Sequence, residues 1–282
     1  MKSNWARECL SSCKRMTACA ARLTSLAALV TAEQASAHPE WMCDAGDMAW
    51  DLRIGKQIAF NVGYGASAPL RKLNAFEMAW HAEGIKTAYQ GTVVFNGETY
   101  VVDPETCWGY ADKNWGCDFT SPWVWLSSCN LTSTLTGKRL ANSAFEIGGG
   151  RPVVFGIPLE RKLLGCINYE GASHEFNFSK FWTGSRTSFD SWETDDAIYW
   201  HVEQQTRTAR LVTDITCPKS EMLFVNYEAP NGAKRHNRLW NGGTGYGRLQ
   251  LFEKHKGDYC IVDDIRVANV GCEYGEYDEG DE

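Results

Sequence analysis

Residues 86–103, "KTAYQGTVVFNGETYVVD", set two β-prone runs on either side of Asn96-Gly97. That dipeptide is the preferred pair of a two-residue type I′ turn, whose central residues must both take positive φ. A second pair of runs, "EMLFVNYEAPNGAKRHNRLW" (221–240), flanks Pro230-Asn231-Gly232. "HEFNFSKFW" (174–182), "AIYWHVEQQ" (197–205), "ARLVTDITC" (209–217), "GRLQLFEKH" (247–255) and "YCIVDDIRVANV" (259–270) alternate or run apolar over strand lengths. Strands thus recur about every ten to fifteen residues with turns between them, and no strand–helix–strand rhythm appears. This predicts an all-β chain, an antiparallel barrel or sandwich. Only residues 1–34, ahead of Pro39, read as helical.

Composition narrows the function classes. Twelve Trp, eleven Tyr and twelve Phe suit β-structure and large apolar pockets better than a helical bundle. The net charge is −7, and the last eleven residues, "CEYGEYDEGDE", carry six acids and no base. An acidic balance lacks the basic footprint of a nucleic-acid binder. Eleven cysteines without a CxxC pair read mostly as small buried residues of a reduced protein. Basic residues ahead of "LTSLAALVTA", with "ASA" at 35–37, outline a secretory signal. Its apolar run is broken by Thr24, Ser25 and Thr31 and followed by Glu33, so the reading adopted is cytoplasmic, with secretion as the alternative. No run approaches the ~20 apolar residues of a membrane-spanning helix.

Several patterns invite chemistry. His81-x-Glu83 and His201-x-Glu203 each share a strand face, and two such strands side by side hold the donors for a metal. The competing reading, two outward polar faces, is preferred, and no metal is expected. Asn130-Leu-Thr and Asn177-Phe-Ser match the glycosylation triplet. Arg235-His236-Asn237-Arg238 reads as a solvated strand before an anion grip. "GGTGYG" (242–247) leads into a strand, which removes the phosphate-loop reading.

The sharpest stretch is "YADKNWGCDFTSPWVWLSS" (110–128). In an extended segment Asp112 shares a face with Tyr110 and Asn114, and Lys113 shares one with Trp115. Charges set among indoles are either paired for structure or used. An Asp desolvated by aromatics holds its proton toward neutral pH, and an indole face stabilises a developing cation. The structural alternative is a strand corner with Asp112–Lys113 as an ion pair.

"YADKNWG" (110–116), followed by the aromatic strand "SPWVWLSSCNLTS" (121–133), resembles the signature of the tocopherol cyclase family. Looser similarity in "FNFSKFWTG", "EAPNGAKRHNRLWNGG" and "NVGCEYGEYD" extends the resemblance over roughly residues 40–277. Carotenoid hydratases and fungal Diels–Alderases share the broader plan of two lipocalin-like β-barrel halves. The resemblance implies a lipocalin-like β-barrel or sandwich, with residues 1–37 as a basic, partly helical segment. Residues 38–60 would be the last strands of a shortened N-terminal half, 61–271 the main β-domain and 272–282 an acidic tail.

The resemblance also implies a hydrophobic, prenyl- or quinol-type ligand. In tocopherol cyclases the reaction closes a ring from a prenylated hydroquinone onto its own side-chain double bond, without cofactor. Carried onto this chain, Asp112 is the candidate proton donor, Lys113 orients or ionises a phenol, and Tyr110 belongs to the catalytic set. Asn114, Trp115, Trp123, Trp125 and Asn130 are candidate substrate contacts. The alternatives are a lipocalin-like carrier without turnover and, third, a carbohydrate-binding β-sandwich whose aromatics stack on sugars.

Overall fold

The computed structural model describes residues 16–17, 47–60, 68–76, 78–116, 122–228 and 235–275. The helical reading of residues 1–34 lies outside them, apart from the two-residue strand β1 (Met16–Thr17). The strands that follow are β2 (Asp47–Phe60), β3 (Met78–Phe95), β4 (Glu98–Val102), β5 (Trp108–Gly116), β6 (Trp123–Ser128), β7 (Asn130–Ser133) and β8 (Ala144–Gly150). After them come β9 (Val153–Val154), β10 (Ile157–Pro158), β11 (Lys162–Tyr169), β12 (Ala172–Phe176), β13 (Arg186–Glu193), β14 (Ala197–Gln205) and β15 (Ala209–Pro218). The last three are β16 (Met222–Glu228), β17 (Arg235–His255) and β18 (Asp258–Gly275). One short helix, α1 (Ala68–Lys72), and two 3₁₀ turns complete the described elements. The chain is nearly all-β, as its strand rhythm predicts.

Two compact units emerge. The first combines residues up to Gly55 with Ala88–Trp108. There the predicted hairpin is present: β3 and β4 pair around Asn96 (φ 49°) and Gly97 (φ 83°), with Phe95 opposite Glu98. Gly91 must be glycine, since a Cβ would sit 2.0 Å from the Asp51 carbonyl oxygen.

The second unit combines Lys56–Thr87 with Gly109 onward. Its frame is an eleven-stranded antiparallel sheet in the order β12-β11-β8-β6-β18-β17-β15-β14-β13, with β7 paired to β18 and β16 to β17. One core cluster draws Phe176 from β12, Leu163 and Ile167 from β11, Phe145 and Ile147 from β8, and Leu249 and Leu251 from β17. The same cluster takes in Ile198, Trp200 and Val202 from β14 and Phe189 from β13. Strands at opposite edges share one core only if the sheet curls, which gives an antiparallel half-barrel. The long β17 bends at register shifts between Gly242 and Gly247, where a Cβ on Gly247 would lie 1.9 Å from the Asp214 carbonyl oxygen.

The second predicted hairpin also forms, β16 against β17, although its Pro230-Asn231-Gly232 turn lies outside the described residues. Arg235–Arg238 fall on β17, with side chains outside the description. β18 runs through Cys272–Gly275, which the sequence reading assigned to the acidic tail. The described cysteines are free thiols, with Cys166, Cys217 and Cys272 buried. Asn177 of the second glycosylation triplet is 1 % exposed and accepts from Ser179 Oγ at 2.7 Å, so that triplet is a buried turn. The two His-x-Glu strands belong to different sheets, β3 and β14, and do not lie side by side. Among the described residues no helix is long and apolar enough to cross a membrane.

Candidate active site

The core occupies only one face of β6 and β8. Alternation sends Val124, Leu126, Phe145 and Ile147 into it, and Trp123, Trp125, Ser127 and Glu146 to the other face. That outer face is covered within the same unit by Trp80 and Ala82 of β3, Phe60 of β2 and Tyr110 of β5, which pack with Ala144, Leu164 and Cys166. Glycines make the cover possible. A Cβ on Gly148 would lie 3.0 Å from the Trp80 ring, and one on Gly271 2.5 Å from the Trp125 ring.

Glu146 lies at the centre and is 0 % exposed. Its Oε1 accepts from Trp125 Nε1 at 2.7 Å and pairs with the Tyr110 hydroxyl at 2.7 Å. Its Oε2 has no hydrogen-bond partner among the described residues. Ser127, directly across the ladder, donates its hydroxyl to the Phe145 carbonyl instead (3.2 Å). Burial therefore dominates and pushes the Glu146 carboxyl up to about 8. Its polar neighbours Ser127, Tyr110 and Trp125 oppose the rise, and the charge of Asp112 adds to it. Ionising this group would leave a charged oxygen bare in a dry place, so the neutral acid is the resident form at pH 7.

Tyr110 joins Glu146 to Asp112. Its hydroxyl lies 3.2 Å from Asp112 Oδ2, which also accepts from Trp80 Nε1 at 3.0 Å and Asn114 Nδ2 at 3.4 Å. Trp80 Nε1 reaches the Tyr110 oxygen as well, at 3.2 Å. Burial of the carboxyl raises the Asp112 pKa; the donors Trp80, Tyr110 and Asn114 oppose this, and the Glu83 charge reinforces it. The residue as a whole is exposed, with its Oδ2 turned inward, so solvent moderates that rise. Burial, joined by the charges of Glu146 and Asp112, also raises the Tyr110 phenol, which stays protonated.

A second carboxyl lies in the same face. Glu273 of β18 is half-buried; Oε2 accepts from Trp123 Nε1 and Oε1 from Asn241 Nδ2, both at 2.6 Å. Burial lifts it to about 7 against the Trp123 hydrogen bond, with the Asp112 charge adding to the rise. The Tyr110 and Trp125 rings pack at 5.0 Å, and Phe60 meets Trp80 edge-on at 6.5 Å.

The sequence-derived candidates thus divide. Tyr110, Asp112 and Asn114 share one face of β5 and converge with Trp125, while Trp123 holds Glu273 alongside. Lys113 and Trp115 occupy the opposite face. Lys113 lies 3.7 Å from Glu83 Oε1 and 5.5 Å over the Trp115 ring, with its side chain 56 % exposed. Asn130 donates to Asn269 Oδ1 at 2.7 Å and takes no part in the Glu146 network.

Sequence reasoning missed Glu146, Glu273 and Trp80. An acid enclosed by "SAF" and "IGGG" was the available signal for Glu146, since a charge inside an apolar strand asks for a reason. Glu273 was read as part of the acidic tail. Trp80 adjoins the His81-x-Glu83 pair and carries no motif of its own.

The curled half-barrel thus carries a buried acid, a bridging phenol and several indoles on its covered face. Residues 36–276 match the family described as tocopherol cyclase-like, and the chain belongs to that family. Among solved structures, kievitone hydratase from Nectria haematococca is similar at 12% identity and a TM-score of 0.40. The match covers 84% of this chain and 62% of that one, so the chain spans about three fifths of that protein's length. No curated protein matches.

Proposed function

We propose that the protein binds a neutral, hydrophobic prenyl- or quinol-type molecule and closes or rearranges it by protonating a carbon–carbon double bond. The observation that carries this reading is the hydrogen-bonded chain Glu146–Tyr110–Asp112 beneath indole rings. Asp112 stands at the rim, where a substrate meets it, and delivers the proton to the alkene. The carbocation forms between π faces of Trp80, Trp125 and Tyr110, whose negative potential favours it. The Tyr110 hydroxyl and the Trp80 N–H then stabilise the Asp112 carboxylate left behind.

Neutral Glu146 completes the cycle. A proton on its Oε1 passes to the Tyr110 oxygen while the phenol proton passes to Asp112 Oδ2. The direction of the 2.7 Å bond is free to reverse, because the heavy-atom positions suit either donor. When the substrate's phenol oxygen attacks the cation, it forms a C–O bond and loses its proton, which recharges the acid. The net change is an isomerisation that consumes no redox equivalent. General-acid delivery of this kind contributes about 10²–10⁴-fold. Lys113, on the far face, holds β5 against Glu83 and is left out of the step.

The test is ring closure of a prenylated hydroquinone in D₂O. One solvent deuterium per product, lost with Asp112→Asn, is expected. Unchanged turnover by Asp112→Asn would overturn the assignment of the donor. Saturable quenching of tryptophan fluorescence without any product would instead favour the carrier reading.

A further inference from the structure

The inside of the curled sheet carries a feature independent of the acid site, which lies on the sheet's other face. Phe189 of β13, Ile198, Trp200 and Val202 of β14, and Leu211 and Ile215 of β15 point into the core. By alternation so do Thr187, Ser191, Gln204 and Thr213. Register pairs Thr187 with Gln204, Ser191 with Trp200, and Thr213 with Val202, so these side chains form one patch on three adjacent strands. From Gln204 to Trp200 the patch spans about 13 Å, at 3.3–3.4 Å per residue.

The patch is polar and bare. Gln204 and Trp200 are each 1 % exposed and Thr213 is 0 % exposed. Both amide atoms of Gln204, the indole nitrogen of Trp200 and the hydroxyls of Thr213, Thr187 and Ser191 have no hydrogen-bond partner among the described residues. Buried polar groups are nearly always satisfied, and each one left bare opposes folding. Six such atoms on one wall are not scattered imperfections. Across the interior, Phe145 and Ile147 of β8 and Leu163 and Ile167 of β11 present hydrocarbon. Gly165 of β11 makes room for the amide, since a Cβ there would lie 2.1 Å from Gln204 Oε1.

We infer that this wall is a ligand subsite inside the half-barrel for a neutral, hydroxyl- or carbonyl-bearing molecule with a hydrocarbon side. An indole N–H donates, an amide both donates and accepts, and three hydroxyls do either, which matches hydroxyl and carbonyl groups. Between Gln204 and Trp200 the three strands turn no charged side chain inward, and the one buried carboxyl that faces this interior in the Gln204 row among the described residues, Asp263 of β18, is already held by Ser133 Oγ at 2.8 Å and the Tyr169 hydroxyl at 3.0 Å, so the wall offers no free counter-charge to an ionic ligand. At this end His174 lies 3.5 Å from Glu253, one layer nearer solvent than Gln204, and burial lowers the His174 pKa so that the imidazole favours its neutral form.

The probe is 4-hexylresorcinol, a neutral diol with an alkyl chain, titrated into protein carrying ¹⁵N-labelled indoles. The Trp200 N–H resonance is identified by its loss in Trp200→Phe. The expected result is a saturable shift of that resonance, weakened at least 10-fold in Gln204→Met/Thr213→Val and unchanged in affinity in Glu146→Gln. The ligand-free double variant is expected to melt at or above the wild-type temperature, because it deletes bare polar groups. Should it fail to fold, Thr187→Val serves in its place, with a smaller loss of affinity expected. A Trp200 resonance that does not move, or moves with equal affinity in the Gln204, Thr213 or Thr187 variants, overturns the inference. Because Glu146→Gln is a separate arm, failure here and failure of the acid site are told apart.

Discussion

Replacing Glu146 by Gln converts its burial into a measurable pH dependence of stability. The folded carboxyl titrates at about 8, against 4.5 for the free group. Below pH 4.5 both states hold the proton and the group contributes no difference. As pH rises from 4.5 toward 8 the unfolded chain releases its proton while the folded chain keeps it, so stability falls with pH and levels off above 8. At 1.36 kcal/mol per unit, a rise of about 3.5 units corresponds to about 5 kcal/mol, of which about 4 kcal/mol falls between pH 5 and pH 8.5. Gln has the same shape, still accepts from Trp125 and Tyr110, and does not titrate. Urea unfolding at both pH values therefore expects the wild type to lose about 4 kcal/mol relative to Glu146→Gln on going to pH 8.5. Contributions from Glu273 and the surface acids are common to both proteins and largely cancel. A difference that stays constant within about 1 kcal/mol would show that Glu146 ionises freely in the folded state, and the neutral-acid argument would fall with it.

Four further outcomes follow from the same geometry. Tyr110→Phe removes the bridge between Glu146 and Asp112 and is expected to lower turnover of a prenylated hydroquinone by about 10²–10³-fold with little change in KM, read by product chromatography. Gly271→Ala drives a methyl into the Trp125 ring, 2.5 Å away, and is expected to lose about 1–3 kcal/mol in thermal or urea unfolding. Gly148→Ala, with 3.0 Å to the Trp80 ring, is expected to lose less. Lys113→Met deletes an exposed contact with Glu83 and should change stability by less than about 0.5 kcal/mol and turnover by less than about twofold. A larger loss of turnover would return Lys113 to the reacting site.

What the sequence disclosed depended on the range of each signal. The Asn96-Gly97 hairpin was legible because a turn that needs two positive φ angles is written in two adjacent residues. The shared face of Tyr110, Asp112 and Asn114 was legible for a related reason: period-two alternation is local, and β5 obeys it. Whether Asp112 paired with Lys113 was not legible. Both lie on one strand, but their partners, Trp80 and Tyr110 for one and Glu83 for the other, are settled by which strands come to rest nearby. The His-x-Glu echo failed for the same reason, since each pair is a correct local face placed in a different sheet.

Glu146 marks the boundary between the two kinds of information. Its neighbours Phe145 and Ile147 announce a buried strand, and strict alternation would turn Glu146 outward to water. Only a second layer of structure lying across that outer face, with Trp80 seated on Gly148 and Tyr110 on Trp125, turns an ordinary outward acid into a dry one. The acid's chemistry is therefore a property of the cover rather than of β8. Loosening the cover should lower the Glu146 pKa without touching Glu146 itself. Trp80→Ala opens that face to water, and its expected mark is a flatter fall of stability between pH 5 and pH 8.5 than the wild type shows. A slope that survives Trp80→Ala unchanged would mean that the strand's own ladder, and not the indole above it, keeps the carboxyl dry.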